Sequence, residues 1–384
     1  MKMKKIIGII IALLLMFNVF AQDELNTITT SVPFLLIGPD ARAGAMGDVG
    51  VATTPDANSM HWNPAKLAFN ENDLGASMSF VPWLRSLVND INLSYITGYK
   101  KIGDKQAIGF ELGYFSLGQI TFTDVNGGLI GNYTPNEYVI GSAYSRKLSD
   151  DFSLSVGGKY ILSDLTGGVK AGEYETFSGR SFAADVSGFY NRPIRISGKD
   201  LDLAIGCNIS NIGSKVSYTE TSIRDFIPIN LRLGTALGAD IDDYNKVSIA
   251  FDLNKLLVPT PAKYENGERV AGMDSEVGVV SGIFQSFWDA PGGTKEEFRE
   301  LMYSVGGEYW YANQFALRTG YFNEHETKGG RKYFTFGMGM KYTVYTIDFS
   351  YLVNANNDAG ATNPLANTMR FSLTWDFGAM EEVN

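Results

Sequence analysis

From Leu74 to Phe377 the chain alternates apolar and polar residues, segment after segment. A period of two is typical of β-strands with one apolar and one polar face. The pattern predicts fourteen strands, with apolar rows in 74–80, 91–99, 108–114, 138–144, 152–162, 182–190, 201–209, 229–237, 247–253, 301–311, 315–321, 334–342, 345–351 and 369–377. In the second segment the apolar row is taken as Ile91, Leu93, Tyr95, Thr97 and Tyr99.

The opposite rows hold small residues together with charges of both signs. These charges are Lys100, Glu111, Lys159, Asp185, Asp202, Arg232, Asp252, Glu308, Arg318, Lys341, Asp348, Arg370 and Asp376. In a barrel they would face the lumen and pair there, whereas in a soluble sandwich they would face water. Alternation alone leaves both architectures open.

The connections separate these architectures. Short links at 101–105, 148–151, 240–246, 312–314 and 343–344 alternate with mostly long ones at 116–137, 163–180, 211–226, 256–299, 323–331 and 354–368, and the link 191–200 is intermediate. Bacterial outer-membrane barrels have short periplasmic turns and long outer loops. We therefore predict an all-β protein, a 14-stranded antiparallel transmembrane β-barrel over residues 73–377.

Residues 33–72 follow neither the period of a strand nor that of a long helix. They are rich in Gly, Ala, Asp and Pro, which suit tight turns and close backbone approach. Asn63 and Pro64 predict a short helix, because Asn is a favoured N-cap and Pro a favoured first helical residue. We predict that this segment is an N-terminal plug, or hatch, inside the barrel, built around Pro39, Asp40, Arg42, Gly44, Met46, Gly47, Asp48, Asn63 and Pro64.

The first 21 residues have the features of a signal peptide. Lysines 2, 4 and 5 precede an apolar run from Ile6 to Phe17, and Val19-Phe20-Ala21 resembles a cleavage site. The run is too short for a membrane anchor, the rival interpretation. We expect residues 22–32 to form a flexible periplasmic leader and residues 378–384 a periplasmic tail.

Composition favours a membrane barrel and argues against nucleic acid as a partner. The chain holds 24 Phe and 20 Tyr but only 19% charged residues, and a lipid-facing wall with aromatic girdles accommodates such a surplus. Its net charge of −10 argues against nucleic-acid binding. Cys207 is the single cysteine, so no disulfide can form within the chain.

The sequence offers few residues that could form a catalytic site together. His61 and His325 are the two histidines, and they fall in the plug and in an outer loop. We predict no catalytic residue, no cofactor and no metal site, and a local hydrogen bond for His61. The acidic run 240–243 is interpreted as a solvated turn in preference to a weak calcium site.

The longest connection, 256–299, is the candidate partner-binding loop. Phe284, Phe287 and Trp288 make it more apolar than a solvated loop requires, and they are candidates for contact with a partner or with lipopolysaccharide. Thr294 and Glu297 predict a capping box at the start of a helix over 294–302. A plain solvated loop is the alternative.

The plug segment carries a specific resemblance. The stretches Gly38 to Gly50, Thr54 to Ser59 and Trp62 to Leu67 resemble the N-terminal segment of the PorV family, outer-membrane proteins of the type IX secretion system of Bacteroidetes. The Asn-Pro-Ala element is shared with the wider FadL-like transporters, whose fourteen-stranded barrels carry a hatch. The resemblance extends from the signal peptide to the last strand.

The resemblance implies a non-enzymatic role in protein secretion. Proteins of this family associate with the translocon barrel SprA (Sov), receive cargo by its C-terminal signal domain and pass it to the attachment complex with the sortase PorU, where cargo is joined to lipopolysaccharide. One alternative is a FadL-like outer-membrane transporter of hydrophobic small molecules. Another is an exported soluble β-sandwich adhesin.

Overall fold

The computed structural model describes residues 25–85, 88–123, 126–170, 174–196, 198–220, 224–355 and 367–378. The predicted signal peptide (1–21), residues 22–24 of the predicted leader and residues 379–384 of the predicted tail lie outside this part. In chain order the strands are β1 (Leu74–Pro82), β2 (Ile91–Lys101), β3 (Gln106–Leu117), β4 (Ile120–Thr123), β5 (Leu129–Tyr133), β6 (Asn136–Lys147), β7 (Phe152–Asp164), β8 (Gly179–Ile196), β9 (Lys199–Gly213), β10 (Asn230–Asp240), β11 (Asn245–Leu256), β12 (Lys263–Glu265), β13 (Glu268–Ala271), β14 (Met302–Tyr311), β15 (Phe315–Asn323), β16 (Lys332–Tyr342), β17 (Tyr345–Asn354) and β18 (Met369–Asp376).

Fourteen strands of the described chain close into an antiparallel barrel. Each barrel strand pairs with the barrel strand before and after it, and β1 pairs with β18, with Gly75 opposite Asp376 and Phe80 opposite Phe371. The remaining strands form two separate hairpins, β4–β5 and β12–β13, within long connections. The fold class and the strand number predicted from the sequence are therefore confirmed, whereas the hairpins were not foreseen.

The two rims of the barrel differ in the length of their connections. At one rim, here called the short-turn rim, strands are joined by 102–105, 148–151, 197–198, 241–244, 312–314 and 343–344. At the other, the long-loop rim, the connections are 83–90, 118–135, 165–178, 214–229, 257–301, 324–331 and 355–368. The link expected to be intermediate is short, because β8 and β9 extend to Ile196 and Lys199.

The two faces of the strands separate as the alternation predicts, with one exception. Outward residues such as Phe182, Ile249 and Met338 are 72%, 66% and 58% exposed. In β2 the two faces are exchanged relative to the prediction. Leu93, Tyr95 and Tyr99 are buried in the lumen, and Ile96 and Lys100 face outward. The prediction was wrong for this strand since the plug offers it an apolar surface: Tyr99 packs with Ala57, Met60 and Leu67.

Most of the predicted lumenal charges are buried inside the barrel. Besides Lys100, the exception is Asp202, which lies exposed near the short-turn end of β9. Lys341 and Asp376 are half-buried. Cys207 lies half-buried in the outward row, as expected.

The helices are short and lie in the plug and the long loops. They are the 3-10 helices η1 (Pro33–Leu36), η2 (Pro64–Phe69) and η3 (Glu326–Lys328) and the α-helices α1 (Ala41–Ala45), α2 (Ser59–Trp62), α3 (Val279–Gln285) and α4 (Thr294–Arg299). Within the described residues, no helix has the length and apolar character needed to cross a bilayer. The predicted capping box is wrong, because the N-cap of α4 is Gly293 and the Glu297 carboxylate accepts instead from the amide of Ala290 (2.9 Å).

Candidate functional site

The plug runs down the lumen from the long-loop rim to the short-turn rim. Near the long-loop rim Phe34 stacks on Phe115 of β3, with ring centroids 6.0 Å apart. Near the other rim the carbonyl of Ala65 accepts hydrogen bonds from Ser145 (3.0 Å) and Ser153 (2.6 Å). Residues 33–70 are mostly buried, as the sequence predicted for a segment inside the barrel.

The leader lies at the rim opposite to the one expected. The Asn26 amide donates to the carbonyl of Thr327 (3.1 Å), and the Ser31 amide donates to that of Phe226 (2.9 Å). Both acceptors lie in long connections. Residues 25–32 therefore lie at the long-loop rim, where the plug enters the lumen, and not at the short-turn rim, where a periplasmic leader was expected.

Asp40 fixes the first helix of the plug. Its Oδ2 accepts from the amide of Ala43 (2.8 Å), which caps α1, and its Oδ1 accepts from Nε1 of Trp62 (2.7 Å). The neighbouring Pro39 is also buried. One carboxylate thus joins the two halves of the plug, α1 and α2.

Arg42 ties the plug to the barrel wall. Its guanidinium makes a bidentate pair with Glu308 of β14 (2.8 and 3.0 Å) and a second ion pair with Asp56 of the plug (2.9 Å). Glu308 also accepts from Arg318 (2.6 Å), which in turn pairs with Asp348 (2.7 Å). Charges from three strands and the plug therefore form one buried network.

The turn after α1 is held against the same part of the wall, by β16 and β18. Asp48 accepts from the Tyr333 hydroxyl (2.5 Å) and pairs with Arg370. Gly47 has a φ of +73° and donates its amide to Thr335 (2.8 Å). Met46 is fully buried between the plug and the wall. The predicted plug residues of this stretch thus meet side chains of β16 and β18.

Gly44 allows α1 to approach β18. A Cβ at this position would overlap the side chain of Arg370, the residue that pairs with Asp48. A side chain here would therefore displace the guanidinium from its carboxylate.

Asn63 and Pro64 begin η2 as predicted. The Asn63 Oδ1 accepts from the amide of Ala65 (3.1 Å), and its Nδ2 donates to the carbonyls of Val51 and Gly188 (both 3.0 Å). Asp252 of β11 accepts from the amides of Gly50 (2.8 Å) and Val51 (3.0 Å). Hydrogen bonds therefore anchor the second half of the plug to the wall.

The buried Lys66 was not singled out from the sequence. Its ammonium donates to the carbonyl of Gly50 (2.8 Å) and to the hydroxyl of Thr53 (3.0 Å), inside the plug. The sequence offers no indication of this role, since a lone Lys beside Ala65 and Leu67 suggests an exposed helix position.

The two histidines lie in different parts of the molecule. His61 packs edge-on against Trp62 and Tyr95, and its Nε2 is buried without a hydrogen-bond partner, so the expected local hydrogen bond of its side chain is absent at this atom. His325 caps η3 in a long connection. Within the described residues, no group of three or more His, Cys, Asp or Glu side chains is placed to hold a metal ion.

A cavity of about 580 Å³ lies beneath the leader. Its walls are largely apolar, with contributions from Phe34, Trp83 and Phe115. Charged residues at its edge are engaged in pairs, such as Arg331 with Glu324 (2.7 Å). The cavity has the size and lining for a small apolar molecule. It was not foreseen, because leader residues that form part of its lining were expected at the other rim.

The longest connection, 257–301, packs over the long-loop rim. Lys255 and Lys328 bind the carboxylates of Glu296, Glu297 and Glu300 at distances of 2.6 to 3.1 Å. The side chain of Asn26 donates to Glu296 (2.9 Å) as well, which joins the leader to this loop. The loop is thereby fixed to the barrel by buried ion pairs at its α4 end.

Asp289 lies at the centre of the same loop. Its Oδ2 accepts from the amide of Thr260 (3.1 Å) and from Gln285 (3.3 Å). Burial raises the pKa of Asp289 to about 6, against the lowering effect of these hydrogen bonds.

The predicted partner-binding residues are exposed on this loop. Phe284 and Trp288 are each 62% exposed, and Phe287 is 43% exposed. Phe284 lies in the last turn of α3, and Phe287 and Trp288 follow the helix. The other side of α3 is buried against the protein. Their position is consistent with a surface that another molecule covers.

A sequence model described as "Type IX secretion system protein PorV" matches residues 20–263, more than half of the chain. The chain belongs to the PorV family. As a PorV-family protein with a closed transmembrane barrel, it is an outer-membrane component of the type IX secretion system. No curated protein matches the chain.

Solved structures with a similar fold are FadL-like barrels. The chain is 12% identical to a TodX deltaS2S3 mutant monoaromatic hydrocarbon channel, with a TM-score of 0.50 and coverage of 88% of this chain and 99% of that one. It is 13% identical to the toluene transporter TbuX of Ralstonia pickettii (TM-score 0.48, coverage 88% and 97%) and 10% identical to a Pseudomonas aeruginosa FadL homologue (0.45, 92% and 100%). At these identities the likeness concerns the fold of this PorV-family protein alone.

Proposed function

We propose that the protein receives secreted cargo at the outer face of the translocon and delivers it to the attachment complex. The observation that carries the proposal is the filled lumen. The plug is joined to the wall by the Arg42–Glu308 and Asp48–Arg370 pairs and by the hydrogen bonds from Gly50 and Val51 to Asp252. A lumen packed in this way argues against passage of a polypeptide through the barrel. It favours binding of cargo at the rim.

The proposed cargo-binding surface is the long-loop rim. Its two largest connections, 118–135 and 257–301, carry the hairpins β4–β5 and β12–β13 and the exposed residues Phe284, Phe287 and Trp288. Under this proposal the rim contacts the C-terminal signal domain of cargo and the SprA (Sov) translocon, and later the PorU sortase complex, which joins cargo to lipopolysaccharide. The protein itself supplies no catalytic group.

Deletion of residues 270–290 tests this proposal. Joining 269 to 291 through a short Gly-Ser linker removes β13's end and α3 while the ion pairs of α4 remain. We expect cargo to accumulate on the translocon and to be lost from the cell surface. The matched control replaces only the exposed Asp104 and Lys105, in the short turn between β2 and β3, by Gly-Ser and should display cargo normally.

The deletion is informative only if the barrel still folds. Heat-modifiable migration in gels and fractionation with outer membranes establish this for both variants. Normal surface display of cargo by a folded deletion variant would contradict the proposal.

A second candidate function is transport of hydrophobic small molecules, favoured by the apolar cavity of about 580 Å³ beneath the leader. The buried ion pairs of the plug argue against it, because a moving hatch would have to separate charges in a poorly hydrated lumen. Crystals soaked with a fatty acid or a detergent distinguish the candidates. Occupancy of the cavity together with a displaced plug supports transport, and an empty cavity counts against it.

A further inference from the structure

The ribbon formed by β8 and β9 continues into the loops of the long-loop rim. The amide of Ser214 donates to the carbonyl of Phe182 (3.2 Å), and the amide of Phe177 donates to the carbonyl of Tyr218 (3.1 Å). An isolated bridge between Thr176 and Thr219 extends the same pairing. Residues 176–182 and 213–219 therefore run side by side at this rim.

A cleft of about 870 Å³ lies along this ribbon. Its lining combines basic side chains with hydroxyl groups: Arg180, Lys215 and Arg224, and Ser178, Ser217 and Thr219. Two carboxylates, Asp164 and Glu220, also border it, and Asp164 already accepts from the amide of Gly167 (3.0 Å). The cleft, called the basic cleft below, thus carries more positive than negative side chains.

The cations of the basic cleft have no anionic partner in the protein. Arg180 and Arg224 are exposed, and the ammonium of Lys215 lies over the ring of Phe226, 4.1 Å from its centroid. In the part of the chain that the structure describes, none of the three cations forms an ion pair. Like charges that share one surface repel each other, and a bound anion would remove this repulsion.

The outward row of the barrel gives the depth of this cleft in the membrane. Next to the long-loop rim, Phe182 packs against Tyr160 with ring centroids 5.1 Å apart, and Tyr114 packs against Tyr138 at 4.8 Å. Such aromatic girdles mark the boundary between acyl chains and headgroups. Arg180 follows Phe182 in the same outward row, two residues nearer the rim, so its Cα lies about 7 Å further along the strand. Its guanidinium is therefore at the depth of lipid headgroups.

We propose that the basic cleft binds the phosphate of a lipid headgroup. Phosphate only accepts hydrogen bonds, and guanidinium, ammonium and hydroxyl groups are the donors that recognise it. Below Arg180 the outward row continues with Phe182 and Ala184, along which the acyl chains of the same lipid would lie. This continuity favours a lipid over free phosphate as the source of the anion.

The inference rests on the proposed function only for the leaflet that supplies the lipid. Under that proposal the long-loop rim faces outward, and the lipid belongs to the outer leaflet. A phosphorylated lipid is then held beside the surface that binds cargo. The recognition of phosphate itself depends on the basic cleft and on the aromatic girdle alone.

Quenching by nitroxide-labelled lipids in vesicles of phosphatidylcholine tests the proposal. Cys207→Ser with Ala184→Cys gives the full-length mature protein one outward cysteine, which carries a bimane fluorophore. Phosphatidic acid and phosphatidylcholine, each with a nitroxide on one acyl chain, are added at equal mole fraction. We expect phosphatidic acid to quench the bimane more strongly, with roughly a five-fold loss of this preference for each guanidinium removed by Arg180→Gln or Arg224→Gln.

Arg195→Gln is the matched control. Arg195 lies on the same strand near the short-turn rim, where it pairs with the exposed Asp200 (3.6 Å), and its loss should leave the preference unchanged. Heat-modifiable migration shows that each variant is folded. Since both leaflets of the vesicles have the same composition, the orientation of the barrel does not affect the result.

Equal quenching by the two lipids, or an equal preference in Arg180→Gln and Arg195→Gln, would overturn the proposal. Inorganic phosphate is added separately to vesicles without nitroxide lipid. If it changed the bimane emission through Arg180 while phosphatidic acid showed no preference, the cleft would take a free anion and the lipid assignment would be wrong. The vesicles contain no secretion machinery, so these results are independent of whether deletion of 270–290 affects cargo display.

Discussion

Arg42 shows at the level of one side chain how the plug is held. Its largely buried guanidinium forms ion pairs with two carboxylates, Glu308 on the wall and Asp56 in the plug. Removing one partner from a buried charge network leaves the other charges unpaired in a poorly hydrated site. The sequence placed Arg42 in the plug and Glu308 in the lumen, but nothing in the chain order indicated that they would meet.

We predict that Arg42→Ala loosens the plug by about 3–5 kcal/mol while the barrel remains closed. Hydrogen exchange of the amides in residues 40–56 should become faster, with unchanged protection in β14 and β15. Lys170→Ala is the control, since the Lys170–Glu175 pair is exposed and its loss should leave plug exchange unchanged. Unchanged exchange in Arg42→Ala would show that the ion pairs do not retain the plug.

Asp289 gives the long loop a dependence on pH. Its folded pKa of about 6 lies above its ordinary value of 3.8, chiefly because the carboxyl is buried. Folding therefore favours the protonated carboxyl. The stability that this carboxyl gives the folded loop is fully present below about pH 4 and is lost as the pH rises through 6.

We predict that α3 is more protected from hydrogen exchange at pH 5 than at pH 8, after correction for intrinsic exchange rates. Asp289→Asn imitates the protonated carboxyl and should remove most of the difference. A pH effect of unchanged size in Asp289→Asn would assign it to other groups near the carboxyl, such as Glu297 and Glu300.

At the scale of the elements, the plug fits the wall through glycines. A Cβ on Gly320 of β15 would overlap the peptide between Met46 and Gly47, and one on Gly306 of β14 would overlap Met46. Since backbone atoms occupy the space, no rotamer change can relieve these overlaps. Small residues were noted in the predicted lumenal rows, but the particular glycines that Met46 and Gly47 meet depend on strand register.

We predict that Gly320→Ala displaces α1 and costs about 1–3 kcal/mol or more in plug stability. Proteolysis within residues 40–56 should increase in the variant, with heat-modifiable migration retained. Gly158→Ala in β7 is the matched control, because a Cβ there has no neighbour within 4 Å. Equal resistance to proteolysis in both variants would contradict the fit described here.

The strands show what a periodic pattern can and cannot determine. Strand number and most outward rows follow from alternation, because lipid and lumen impose different polarity on the two faces. In β2 both faces carry apolar residues, Ile96 on one and Leu93 and Tyr95 on the other, and the plug decides which face turns inward. Likewise, β4–β5 and β12–β13 are short hairpins without alternation strong enough to be recognised.

At the scale of the whole molecule, the chain enters its own barrel from the long-loop rim. Leu25 is 74% exposed near the long-loop rim, and the plug descends to the start of β1 at the short-turn rim. The sequence suggested the opposite for the leader, because a polar segment that follows a signal peptide has no pattern to indicate which rim it reaches. Long-range contacts such as Asn26 with Pro261 and Thr327 decide its place.

This path predicts the labelling of single cysteines on intact cells. In a Cys207→Ser background, Leu25→Cys should react with a membrane-impermeant maleimide, as Glu268→Cys in β13 should. Asp243→Cys, in the short turn between β10 and β11, should react only after the outer membrane is permeabilised, since periplasmic turns lie behind it. If Leu25→Cys behaved like Asp243→Cys, the leader would lie on the periplasmic side, and the descent of the plug from the outer rim would be wrong.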